Sequence, residues 1–368
     1  MPIPQGLTPT PFSSRFPSDV VEWIDIYGFA VPAFISDPAE EYTAIRNRVA
    51  ALEFSMLYKW DLRGPGAIDA ADAVFSRNVR KLGARRIAYG VVVDEHGMMV
   101  DDVTAVVLAN DHVRVIGGNP QTARMLEERA PTGTTLEEVR DTLAVLSLQG
   151  PRSREVLAKL TAADVSNDAF PYYTFVPDMQ VAGIEAHVNR MGFTAELGYE
   201  IMVPVDRAEE LWDAVFAAGA EFGIASASAA ALMMCRVEAG MIMGELEYDS
   251  TVSPFECRMG WAIDLEKGDF VGRDALLAAR EAVTGRVVSL AFDSDVGDVD
   301  GSRVTIDDQD LGFVTMGVPS PVMGGNTLAL ARVHKGAAKI GTKVVVGGHT
   351  ALVHRTPAFD PDRLRVRS

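Results

Sequence analysis

"LYKWDLRGPGAIDAADAVFS", residues 57–76, and "LAVLSLQGPRSREVLAKLT", residues 143–161, begin alike and continue alike. Each reads as a strand, then Gly-Pro, then an amphipathic helix. Pro65 and Pro151 are expected in the first turn of those helices, where the N–H that proline lacks has no intrahelical partner anyway. After the first copy the pattern predicts strands near 87–93, 98–108 and 112–116 and a helix from Pro120. After the second it predicts strands near 171–176, 181–190 and 197–203 and a helix from Asp206 to about Ala220. The chain thus holds an internal duplication of an α+β unit, and a site is expected between the halves.

Past Gly285 the texture changes. "RVVSLAFD", "SRVTID", "LGFVTMGVP", "NTLALARVH" and "TKVVVGG" are short alternating runs separated by Gly, Pro and Asp, which predicts a small all-β barrel or sandwich. The expected division is a duplicated region at 1–284 and a C-terminal β-barrel at 285–368. Within the former, one lobe covers about 50–140 and the other about 141–284 together with the N-terminal arm. That arm, "MPIPQGLTPTPFSSRFP", lacks the basic start and apolar stretch of a signal peptide and reads as an extended surface segment.

Composition narrows the function classes. The 368 residues carry 34 Lys and Arg against 51 Asp and Glu, a formal charge of −17 that opposes binding to nucleic acid or an anionic membrane. The apolar windows, such as residues 225–235, are too short to span a bilayer, so no membrane partner is expected. Only Cys235 and Cys257 are present, with no CxxC and no histidines at ligand spacing. A disulfide framework and a metal site are both unexpected, and a reducing cytoplasm fits. The aspartates of "DSDVGDVDG", 293–301, lack the ligand alternation of a calcium loop and read as solvated. Nucleotide and hydrolase signatures are missing as well.

One stretch breaks the pattern of apolar strands. "YGVVVDEHGMMVDDVTAVVL", 89–108, reads as a hairpin turning at "DEHG", yet Asp101 and Asp102 sit side by side in its second strand. Alternation puts Asp101 on the face of Val103 and Ala105, and Asp102 on the face of Thr104 and Val106. If both faces are covered, at least one carboxylate is buried and needs partners.

Three stretches then occur in a telling order: "GMMVDDVTAVV" (97–107), "RMGFTAELGYEI" (190–201) and "CRVEAGMIMGELEYDSTVSPFECRMGWAIDLEKGDFVGRDAL" (235–276). Their order and separations resemble the folate-dependent aminomethyltransferase family, founded on the T-protein of the glycine cleavage system. The resemblance covers most of the chain. It implies an α+β fold, a three-domain cloverleaf in which the duplicated unit and the barrel surround a central channel, with tetrahydrofolate as cofactor. Within the family, "TPTPFSSR", "ELGYEI" and "SPFECRMGWAIDLEKGDFVGRDAL" look like the tetrahydrofolate-dependent demethylase branch, which includes dimethylsulfoniopropionate demethylase. Leu232 and Met233 stand where a T-protein has an Arg-Asp pair belonging to its folate site, "GFTAELG" stands for "GYTGEDG", and Gly117 for an asparagine.

The resemblance implies Asp102 as the catalytic aspartate, with Asp101 structural, and Glu200 as the carboxylate facing the pterin. A carboxylate suits that edge because N3–H and the 2-amino group both donate. Glu196, four residues earlier and on the same face if no bulge intervenes, is the alternative. Tyr89, thirteen residues before Asp102, falls at the separation of a site tyrosine. Arg236 and Glu238 are expected to pair with each other, and Trp23, Trp60 and Trp261 to wall a pterin or pack a core. The expected activity is a cytoplasmic, metal-free transfer of a methyl group from a small S- or O-methylated donor to N5 of tetrahydrofolate. An aminomethyltransferase acting on an amine, and a folate-binding protein without catalysis, stay open as alternatives.

Overall fold

The computed structural model describes residues 2–18, 20 and 22–368. Its first sheet has the order Ile87–Val93, Met99–Ala109, His112–Gly117, Tyr58–Arg63, Thr135–Glu138. The second sheet runs Phe175–Val181, Ile184–Asn189, Gly198–Pro204, Leu143–Gln149, Ala50–Glu53, Ala225–Ser226. The first five positions correspond, so the duplication is one of topology. Each copy also pairs with a strand that precedes the other. Ala50–Glu53, which precedes the first unit, pairs with Leu143–Gln149 of the second, and Thr135–Glu138, which precedes the second, pairs with Tyr58–Arg63 of the first.

The Gly-Pro turns sit slightly ahead of their expected place. The helices are Ala67–Val74 and Ser153–Leu160, so each proline lies two residues before helix start rather than inside the first turn. Gly64 accepts from the N–H of Ala67 and Gly150 from that of Ser153, which makes each proline the second residue of a tight turn. Both glycines are left-handed, at φ +118° and +121°. A side chain there would run into backbone, at Gly133 and Thr134 in one copy and at Ile45, Arg48 and Val49 in the other.

One segment departs from the expected division, and the N-terminal arm, which packs on the second lobe, departs from its expected surface placement. Residues 242–276, expected in the second lobe, pack Ile242, Tyr248, Val252, Cys257 and Leu276 against Val91, Val93 and Met99 of the first sheet. The N-terminal arm is no mere surface segment: Phe12 is fully buried in the second lobe's core, 5.7 Å from Trp212 ring to ring. The arm continues into a hairpin, Glu22–Ile26 and Phe29–Phe34. The chain ends in a closed six-stranded barrel whose first strand is Gly285–Phe292.

Candidate active site

Alternation along Met99–Ala109 is broken at Val100, which the register skips, but it holds from Asp101 to Val107 and separates the two aspartates. Asp101 is 2 % exposed and turned toward the helix side. It accepts from the N–H groups of Gly118 (3.1 Å) and Asn119 (3.0 Å) and from Thr122 Oγ1 (2.9 Å), and so ties down the turn entering helix Gln121–Glu128. Burial, reinforced by the neighbouring Asp102 charge, raises its pKa to about 7 against those hydrogen bonds. Gly117 has a reason to be glycine here, since a Cβ would collide with Asp101.

Asp102 points the other way, into a cavity of about 1020 Å³. The Tyr89 hydroxyl donates to Oδ2 at 2.7 Å and the Tyr248 hydroxyl to Oδ1 at 2.5 Å. Burial raises its pKa, and the two tyrosine hydrogen bonds only partly offset this. No Lys or Arg pairs with it among the described residues. Tyr248 is a site residue that sequence reasoning missed: it comes from 146 positions away, and no spacing marks it.

Glu200 lies on the second sheet and lines the same cavity. It is 8 % exposed, and burial lifts its pKa to about 7 despite the nearby Asn189 amide and the Lys59 charge. It makes no ion pair among the described residues. Glu196 does not join it. Ala195 turns the chain at φ +60° ahead of strand Gly198–Pro204, which breaks the assumed parity. The Glu196 carboxylate is held instead by Arg46 (3.2 Å) and Arg365 (2.8 Å), away from the cavity wall.

The expected Arg236–Glu238 pair is absent as well. Residues two apart on a helix face different ways. Arg236 pairs with Glu247 at 2.7 Å, and Glu238 with Arg46 at 3.0 Å, all of them buried. Of the tryptophans only Trp261 reaches the wall, 6.0 Å from the Tyr89 ring; Trp60 is core, stacked on Tyr58 at 5.4 Å, and Trp23 lies off the wall. Leu232 and Met233 line the cavity with apolar surface.

A family model described as the GCVT N-terminal domain matches residues 14–267, and the glycine cleavage T-protein C-terminal barrel domain matches residues 285–360. The chain belongs to the glycine cleavage T-protein family. Enzymes of this family are tetrahydrofolate-dependent. The trimethylamine-oxide aldolase of Ruegeria pomeroyi is 33 % identical, over 99 % of this chain and 48 % of its own length, so the chain spans about half of that relative. The aminomethyltransferase of Caldanaerobacter subterraneus subsp. tengcongensis is 28 % identical over 93 % of this chain and 92 % of its own. The fold matches the crystal structure of aminomethyltransferase T from Bartonella henselae with a TM-score of 0.86, at 21 % identity, over 96 % of this chain and 98 % of that one. No helix among the described residues is long and apolar enough to cross a membrane.

Proposed function

We propose that this protein is a tetrahydrofolate-dependent methyltransferase, or demethylase, whose donor is a small methylated cation: a sulfonium or a methylated ammonium. The observation that carries this reading is Asp102. Its carboxylate faces the cavity, is hydrogen-bonded by two tyrosines and has no cationic partner among the described residues. A lone carboxylate in a low-dielectric cavity is costly unless it takes up a proton or a cation. A cationic donor satisfies it, whereas a neutral methoxyaromatic does not; of the expected S- or O-methylated class this keeps the sulfonium donors and drops the O-methylated ones, and it adds methylated ammonium ions.

The cavity fits the folate. Glu200 is a buried acceptor facing inward without an ion pair, suited to a pterin's donor edge, and Tyr89 stands on the wall beside Asp102. Arg86, Arg363 and Arg367 also line the cavity, none ion-paired among the described residues, and these suit the carboxylates at the other end of the ligand. When bound, tetrahydrofolate supplies the secondary amine that accepts the one-carbon unit. The donor's carbon–onium bond breaks with its electron pair leaving on sulfur or nitrogen, so no oxidant is needed. Asp102 takes the released proton on a carboxylate oxygen, where Tyr89 and Tyr248 hold it in place. Positioning of the two reactants supplies much of the remaining acceleration. The two buried, unpaired cysteines accord with a cytoplasmic setting.

The aminomethyltransferase reading is favoured by several relatives that are aminomethyltransferases. The two readings differ in product. Incubation with tetrahydrofolate and dimethylsulfoniopropionate, quaternary and tertiary methylamines or methoxybenzoate, followed by mass spectrometry, is expected to give 5-methyl-tetrahydrofolate from an onium donor and none from methoxybenzoate. Methylene-tetrahydrofolate from an amine donor, or tight folate binding with no turnover of any donor, would overturn the proposal.

A further inference from the structure

The N-terminal hairpin ends in a two-residue turn, Tyr27-Gly28, with both residues left-handed at φ +54° and +87°. Such turns favour Asn-Gly, because a bulky side chain is strained there. Tyr27 occupies the strained position nonetheless, and several contacts fix it. Asp25 Oδ1 accepts from the Gly28 N–H at 2.7 Å, and the Tyr27 carbonyl accepts from Arg140 Nη1 at 3.3 Å. The Arg140 guanidinium lies 4.2 Å from the Tyr58 ring, and that ring lies 5.5 Å from Tyr27. The backbone accommodates a tyrosine where a smaller residue would be cheaper.

The side chain crosses from the hairpin to the first sheet. Its hydroxyl rests against Gly118, where an added Cβ would strike it, and it lines the cavity with Asp102 and Tyr248. The hydroxyl has no hydrogen-bond partner among the described residues. Although the residue as a whole is 38 % exposed, desolvation at its inner end, followed by the Asp101 and Asp102 charges, raises its pKa to about 12, so it stays neutral. Tyr27 thus brings a neutral aromatic ring from outside both lobes to the end of the cavity that holds the lone carboxylate. Aromatic faces attract methylated cations.

We propose that Tyr27 is a specificity-determining residue: its ring forms one wall of the donor subsite at Asp102, and Gly118 is glycine to admit it. This rests on the reading of the donor as an onium ion. The direct test is calorimetric titration of the full chain with tetramethylammonium chloride and, separately, with tetrahydrofolate. Tyr27→Leu should weaken tetramethylammonium about five- to tenfold while leaving tetrahydrofolate within about twofold. Gly118→Ala, which displaces the ring, should give the same selective loss and add nothing further in the Tyr27→Leu background. Failure of the wild-type protein to bind tetramethylammonium would sink the onium reading and this inference with it. Tetramethylammonium binding that Tyr27→Leu does not change, equal losses for both ligands, or additive losses in the double variant would overturn the role of Tyr27 alone.

Discussion

Asp101 and Asp102 differ only in which way the strand turns them, and their substitutions should differ accordingly. Asp102→Asn is expected to lower turnover by about 10²-fold or more while folate binding changes much less, as steady-state kinetics and titration will show. Asp101→Asn keeps one acceptor oxygen for three donors and sets an amide N–H₂ among them. It should cost ~1–3 kcal/mol in denaturant unfolding with a milder effect on turnover. The tyrosine hydrogen bonds lower the Asp102 pKa, so Tyr248→Phe should raise it. A base is active above its pKa, and the acid limb of the kcat/KM profile should therefore move to higher pH in that variant. The opposite orientation of the two aspartates was legible in the sequence because alternation holds from Asp101 onward, the extra residue of the bulge being Val100 just ahead, which faces neither Val92 nor Val93 in the register. Alternation failed for Glu196, since nothing in "TAELG" announces the left-handed turn at Ala195.

At the scale of elements, the Gly-Pro junctions and the strands of the first copy were readable because proline, glycine and β-branched runs act locally, whereas the strands expected near 171–176 and 181–190 lie at Phe175–Val181 and Ile184–Asn189. Strands predicted at 87–93 and 112–116 are found at Ile87–Val93 and His112–Gly117. What local pattern does not carry is partner choice. The pairing of each copy with the strand that precedes the other, the return of residues 242–276 to the first sheet and the insertion of Phe12 depend on surfaces that meet only in the folded chain. The same holds for Tyr27 and Tyr248, which reach the site from distant segments. The glycine that begins each junction offers a clean test. Gly150→Ala forces a side chain against the Ile45 and Arg48 carbonyls at a φ of +121°, and should destabilise the chain by ~2 kcal/mol or more in thermal or denaturant unfolding.

For the whole molecule, the site is a cavity shared by two copies of one unit, each contributing a carboxylate on an inward face. Glu200 carries the cost of that arrangement. Its pKa is near 7 in the folded chain but near 4.3 when unfolded, so the ligand-free fold loses stability as pH rises from about 4 through 7. Glu200→Gln should therefore melt at a higher temperature than wild type at pH 8 in the absence of ligand, while binding folate more weakly. The most direct measurement of the central claim, that Glu200 takes the pterin in the cavity between the lobes, is tetrahydrofolate affinity titrated from pH 6 to pH 8. Because the carboxylate form is the one that accepts from the pterin, wild-type affinity should rise with pH, by up to about tenfold per unit below 7, and level off above it. Glu200→Gln should bind more weakly throughout and without that slope. An unchanged affinity and an unchanged pH dependence in Glu200→Gln would contradict the account.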